Sequence, residues 1–206
     1  FTVIHEFSSY LLHLLLLAEL FVRSSSRPTP STPLCGTFRS MIHHVDKLMN
    51  LSRKLHDLTE DEVKHFGDVH HRLDSLPEIH HTSADIRLLQ VNESLSQLYA
   101  HTQSFKLHID WLKTARENVS ASSQSIEGAS SHLQGLSDFL KASLQHMGEE
   151  APQSTPPSLP VVSSAFDALI FSMEMSNRLQ VFCDWSKRVL HHIKKQLFTL
   201  TVPATR

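Results

Sequence analysis

Glycine is scarce in this chain, 5 in 206 residues, so the left-handed turns that a β-sandwich or barrel repeats at its hairpins would lack their usual residue. Cysteine is scarcer still. Cys35 and Cys183 cannot build a disulfide framework, and without histidine they cannot supply the four ligands of a structural zinc. Neither sign of charge prevails: 19 Lys and Arg stand against 21 Asp and Glu, a formal charge of -2. Such a balance generates no long-range field to hold nucleic acid or an anionic membrane, and neither is expected as a partner. No glycine-rich phosphate loop and no serine-elbow motif occurs, and no enzymatic activity or cofactor is expected. What is present is a foldable composition, 40% hydrophobic and 19% charged, at a length that fits one core. The chain reads as helical.

Prolines stand at positions 28, 30, 33, 77, 152, 156, 157, 160 and 203, leaving free windows at 34–76, 78–151 and 161–202. Proline inside a helix removes a donor and clashes with the preceding turn, so the windows can hold long helices and the clusters mark loops. In the first window Phe38, Met41, Val45, Leu48, Leu55 and Leu58 recur at steps of three, four or their sum, which predicts a helix over about 37–59. In the second, Leu88, Val91, Leu95, Leu98, Thr102, Phe105, Ile109 and Leu112 alternate threes and fours and predict a helix over about 84–116. Ile126, Ala129, Leu133, Leu136, Leu140, Leu144 and Met147 predict another over about 122–147, with Gly148 placed as its stop. In the last window Leu169, Met173, Leu179, Phe182, Val189, Ile193 and Leu197 predict a fourth over about 163–198, with Ser163 and Ser164 as candidate N-caps. The link between the second and third helices is short and makes them antiparallel; those at about 60–83 and 148–162 are long enough to cross a bundle. The expected fold is therefore all-α, a long-chain four-helix bundle, up-up-down-down with two long crossover loops. That arrangement tilts function toward receptor binding by analogy alone.

Tyr10 to Val22 is nearly all apolar, too short to span a bilayer, and followed by Ser24, Ser25 and Ser26. Residues 1–26 are expected to be a secretory signal peptide and 27–206 the folded domain. Three triplets agree with export and make Asn50, Asn92 and Asn118 candidate glycosylation sites. The 16 histidines include the doublets His43-His44, His70-His71, His80-His81 and His191-His192. Adjacent helical residues point about 100° apart, so a doublet cannot close on one metal. Glu62-x-x-His65 and Glu78-x-x-His81 have di-iron spacing but fall in the first long connection, so no metal site is expected. Cys183, beside Phe182 on an apolar helix face, reads as a small buried hydrophobe. Two free thiols are expected at Cys35 and Cys183 ahead of a disulfide between them, which a leader segment folding back could still close. Two candidate contact points remain: Phe166 at the start of the last helix, and the Trp185–Arg188 pair three residues apart on one of its faces, both of residue types favoured at interfaces, with core packing and a structural stacking pair as the respective competing readings.

Several segments carry a resemblance: Leu73-Asp74-Ser75-Leu76-Pro77, Trp111-Leu112, Ser163-Ser164-Ala165 followed by an aromatic, and Asp184-Trp185-x-x-Arg188. In order and spacing, from about 38 to 198, they resemble the interleukin-11 family of interleukin-6-type cytokines. The resemblance implies a secreted helical cytokine, monomeric when free, that binds an interleukin-11-type α-receptor and then recruits glycoprotein 130 to trigger JAK and STAT signalling. It implies a first surface on the C-terminal half of the last helix, including Arg188, together with the first connection. It implies a third surface at the aromatic opening that helix, a tryptophan in the mammalian form and Phe166 here, and a second on exposed faces of the first and third helices. An amphipathic-helix lipid-binding protein and an intracellular helical adaptor are the alternative readings of the same helices.

Overall fold

The computed structural model describes residues 31–199 apart from 67–72, 80–82, 89 and 154–155. Contacts divide the chain into Phe1–Pro33 and Leu34–Arg206, and all but the first residues of the described helices lie in the second unit. The expected signal peptide, His70, His71, His80 and His81 lie outside the described residues. Among the described residues six helices follow in order: α1 Ser31–Ser52, α2 Glu60–His65, α3 Ser83–Leu88, α4 Val91–Asn118, α5 Gln124–His146 and α6 Ala165–Thr199. The described residues contain no strand.

Their cores follow the apolar spacing. Phe38, Met41, Val45 and Leu48 of α1, Leu95, Leu98, Phe105, Ile109 and Leu112 of α4, and Ile126, Ala129, Leu133, Leu136, Leu140 and Leu144 of α5 are all buried in one cluster. Phe105 of α4 stacks on Phe182 of α6, ring centroids 4.7 Å apart. Contacts also set the helix directions pairwise. Leu51 and His44 of α1 face Gly128 and Gly135 of α5, so positions rise on one helix as they fall on the other. Asp110 and Gln103 of α4 bond Ser130 and Ser137 of α5, again antiparallel. His101 and Trp111 of α4 touch Trp185 and Phe171 of α6, which is the same relation.

Helix ends show where local chemistry decides. Gly148 takes φ +77°, and behind it Gly148 N–H bonds the Gln145 carbonyl while Glu149 N–H reaches Leu144 O, both at 3.0 Å. This double bond is the Schellman closure, which favours a residue without Cβ at the left-handed position. Ser120 does the same work after α4 at φ 57°, with Ser120 N–H on Glu117 O and Ala121 N–H on Arg116 O.

Three expectations need correction. The first helix runs 31–52 rather than 37–59. Pro33 sits inside its first turn, where the missing N–H has no intrahelical acceptor to lose. Its end comes early because the chain tightens into i→i+3 turns at Lys54 and Leu55 and reverses at Asp57, φ 55°. Arg116 of α4 fixes that reversal: Nη1 donates to Leu55 O at 2.7 Å and Nη2 pairs with Asp57 Oδ2 at 2.7 Å. Lysine presents one nitrogen where two fixed ones now reach separate acceptors, so Arg116→Lys is expected to cost about 1–2 kcal/mol, read as a lower urea midpoint at unchanged slope. Secondly, the helix expected at 84–116 is two helices separated by extended Gln90. Leu88, first in the strict apolar series, consequently ends on the surface at 83% exposure, while Ile86 of α3 is buried in its place. Thirdly, the core stripe of α6 opens on Ala168, Phe171 and Met175 instead of Leu169 and Met173, because Phe171 packs edge-on against Trp111.

Candidate functional site

Along α6, Asn177, Val181, Asp184, Arg188, His191 and Lys195 are all exposed, at alternating steps of four and three. They form one continuous solvent face. Val181 is 50% exposed although apolar. Arg188 makes no hydrogen bond or ion pair with any described residue, so its guanidinium is available to a partner. Trp185 does not share this face. It is 4% exposed, with its ring 5.1 Å from that of His101 and 6.3 Å from that of Phe182. The expectation that Trp185 contacts a partner is therefore corrected: three residues along a helix is about 300°, and here that rotation carries Trp185 into the core while Arg188 stays outside.

Beside this face runs the first connection. Leu73 and Leu76 are buried, and Arg178 of α6 donates from Nη2 to Leu76 O at 3.0 Å and to Pro77 O at 3.4 Å. A guanidinium suits this task because its donors fan out in one plane toward successive carbonyls. The result is a groove of about 300 Å³ between Pro77, Glu78 and Ile79 on one side and Arg178 and Val181 on the other. Arg178 is absent from the sequence-level candidates; its carbonyl partners lie some hundred residues away, and no local spacing reveals them. A second, polar groove lies where the start of the same connection, with Arg53, His56, Leu58, Val63 and Lys64, meets Ser176, Asn177 and Gln180 of α6.

Phe166 stands at the other end of α6, 49% exposed. Its backbone is set by a reciprocal cap: Ser164 Oγ accepts from Asp167 N–H at 3.1 Å, and the Asp167 carboxylate accepts from Ser163 N–H at 3.2 Å. One side of the ring meets Phe66, just after α2, centroids 6.3 Å apart. Phe66 too escaped the sequence reading. The three candidate glycosylation asparagines, Asn50, Asn92 and Asn118, are exposed, and Asn92 Nδ2 donates to Glu149 Oε1 at 3.2 Å.

Of the pairs with ligand spacing, Glu62 and His65 are engaged within α2. Glu62 accepts from Thr59 N–H and Oγ1–H at the start of α2, and His65 Nδ1 donates to Asp61 O at 2.7 Å. Cys183 is a free, buried thiol whose pKa is pushed far up, first by burial and then by Asp184 and Asp46. Among the described residues no group of three or more His, Cys, Asp or Glu is placed to hold a metal, and no helix is long and apolar enough to cross a membrane.

Two histidines do meet across helices. His44 of α1 and His132 of α5 bring their Nδ1 atoms to 3.2 Å, over Gly135, where a Cβ would lie 2.3 Å from His44 Cε1. Burial, then neighbouring cationic imidazole, lowers the pKa of both below 6.5; for His132 the latter comes from His44 and His43, with Lys47 adding to it. Both rings are thus neutral at physiological pH, and the stability they allow is complete above their unfolded value and lost as pH falls through the lower folded values. The urea midpoint should decline below about pH 6.5. In His44→Gln/His132→Gln that decline should be shallower; an unchanged decline would mean these rings do not set it.

The all-helical arrangement of the described residues, with an exposed α6 face that carries Val181 and Arg188, fits a helical cytokine of the interleukin-6 type. The chain belongs to the interleukin 11 family, whose model matches residues 28–197. No curated protein matches the sequence. The family is not enzymatic, and its partners are receptors of the cytokine-receptor kind.

Proposed function

We propose that the protein is a secreted cytokine that binds an interleukin-11-type α-receptor and then recruits glycoprotein 130, bringing the receptor-bound kinases together and starting JAK and STAT signalling. In this reading residues 1–26 are a signal peptide, 27–206 form an up-up-down-down bundle that is monomeric when free, and Asn50, Asn92 and Asn118 are glycosylation sites. The pairwise antiparallel contacts of α1 with α5, α4 with α5 and α4 with α6 support that topology.

The single observation that carries the reading is the meeting of Pro77–Ile79 with Arg178 and Val181, on the α6 face that continues to Arg188. It makes one surface of two parts that lie far apart in sequence, the composition expected of the α-receptor contact. Arg188 and Val181 supply charge and apolar area there; Phe166 supplies the anchor of the third surface, and the outer faces of α1 and α5 the second. Titrating the purified chain over immobilised α-receptor ectodomain tests the first step. Saturable binding, weakened by Arg188→Glu, is the expected outcome, and no binding by a folded sample contradicts it.

A further inference from the structure

His108 of α4 is fully buried, yet its ring holds polar partners on both nitrogens. Nδ1 lies 2.7 Å from the Ser104 carbonyl, and Nε2 lies 2.8 Å from Ser75 Oγ in the first long connection. The same Ser75 Oγ lies 3.0 Å from the carbonyl of Ser158, in the connection between α5 and α6. One hydroxyl therefore stands between an imidazole and a carbonyl, and both long connections meet α4 through it.

Counting protons decides what this group can do. A carbonyl only accepts, so the proton of the neutral ring sits on Nδ1 and Nε2 carries a lone pair. Ser75 has a single hydrogen for two acceptors, and the imidazole Nε2, the stronger base and the nearer at 2.8 Å, takes it ahead of Ser158 O at 3.0 Å. When the ring is cationic, Nε2–H donates to Ser75 Oγ, and the freed hydroxyl hydrogen goes to Ser158 O. Only then are all three contacts hydrogen bonds at once. We infer that His108 is a positioning residue that ties the first connection to α4 in either protonation state, and the second connection only when it takes up a proton. Acidification would thus couple the 73–77 segment beside the Pro77–Val181 groove to the strand of chain that leads through Ser163 to Phe166.

The surroundings make the neutral form the resting one. Burial lowers the pKa of His108 first, Arg178 of α6 lowers it further, and the bond to Ser104 works against both. Arg178 is paired with Glu174 at 3.7 Å, Asp74 next to Ser75 is exposed, and the described residues of the two connections bring the Ser75 hydroxyl to the ring and the Ser158 carbonyl to that hydroxyl. The coupling is a property of the fold and holds whether or not the receptor reading does; only its meaning for signalling rests on that reading.

The test is a nuclear magnetic resonance titration of the full isotope-labelled chain from about pH 8 down to the onset of acid unfolding. The amide of Leu159 shares its peptide unit with the Ser158 carbonyl and reports hydrogen bonding there. His108 should begin with its proton on Nδ1, and its ring and the Leu159 amide should shift with one common midpoint. Ser75→Ala should abolish the Leu159 shift while His108 still titrates, and Ser75→Thr, which keeps the hydroxyl, should restore it. A Leu159 amide that stays still while His108 titrates, one that shifts equally in Ser75→Ala, or a His108 that remains neutral until the chain unfolds would each overturn the proposal. α-Receptor binding plays no part in any of these readouts.

Discussion

Phe166→Ala should leave α-receptor binding within about twofold of the parent and reduce signalling potency about thirtyfold or more, the scale of an interface anchor worth about 2 kcal/mol or more. The separation follows from where the ring sits. It is at the opposite end of α6 from Arg188, half out of solvent contact, with Phe66 against one side. Truncation costs the fold little: the Ser164–Asp167 cap uses no atom of Phe166, and alanine is the better helix former. A drop in STAT phosphorylation with unaltered circular dichroism and unaltered α-receptor affinity is the expected pattern. Equal loss in both assays would place Phe166 in the first surface or in the fold instead.

Arg188→Glu should act at the opposite step, weakening α-receptor binding about thirtyfold or more and signalling in proportion. The guanidinium makes no hydrogen bond or ion pair with any described residue, so reversing its charge breaks none of these contacts, whereas at an interface it replaces an attraction by a repulsion. Arg188→Lys keeps the charge but loses the planar fork, and an intermediate loss separates directed bonding from general electrostatics. The effect should appear chiefly in the dissociation rate if the contact is buried in the complex, and in the association rate if it sits at the rim. Unchanged affinity in the glutamate variant would remove Arg188 from the surface.

Much of this fold is legible in its apolar spacing. The apolar positions buried in α4 from Leu95 to Leu112 and in α5 from Ile126 to Leu144 are those the three-four pattern names, while buried His108, Ser137 and Ser143 fall outside it, and Gly148 ends α5 as its lack of a Cβ suggests. The failures share a cause, contacts between residues distant in sequence. Asp57 reverses where Arg116 holds it, 59 residues on, and helical spacing through Leu55 and Leu58 cannot register that bond. Leu88 continues the pattern of α4 but belongs to α3, where Ile86 takes the buried place. Among the candidate contact residues, Phe166 and Arg188 could be singled out because residue type and place along a helix are local features, and both are exposed. Arg178, Phe66 and the His108–Ser75–Ser158 chain could not, since each acquires its role only when the connections fold back. Trp185 misled for the opposite reason: its residue type is common at interfaces and in cores alike, and only burial distinguishes the two.

The measurement that bears most directly on the proposed function is STAT phosphorylation in cells bearing glycoprotein 130, with and without the interleukin-11 α-receptor of the same species, after addition of the purified chain. A dose-dependent response that requires the α-receptor is the predicted result. Silence from a folded, helical sample in both cell lines would contradict it, and a response of equal size without the α-receptor would contradict the role given to the α6 face.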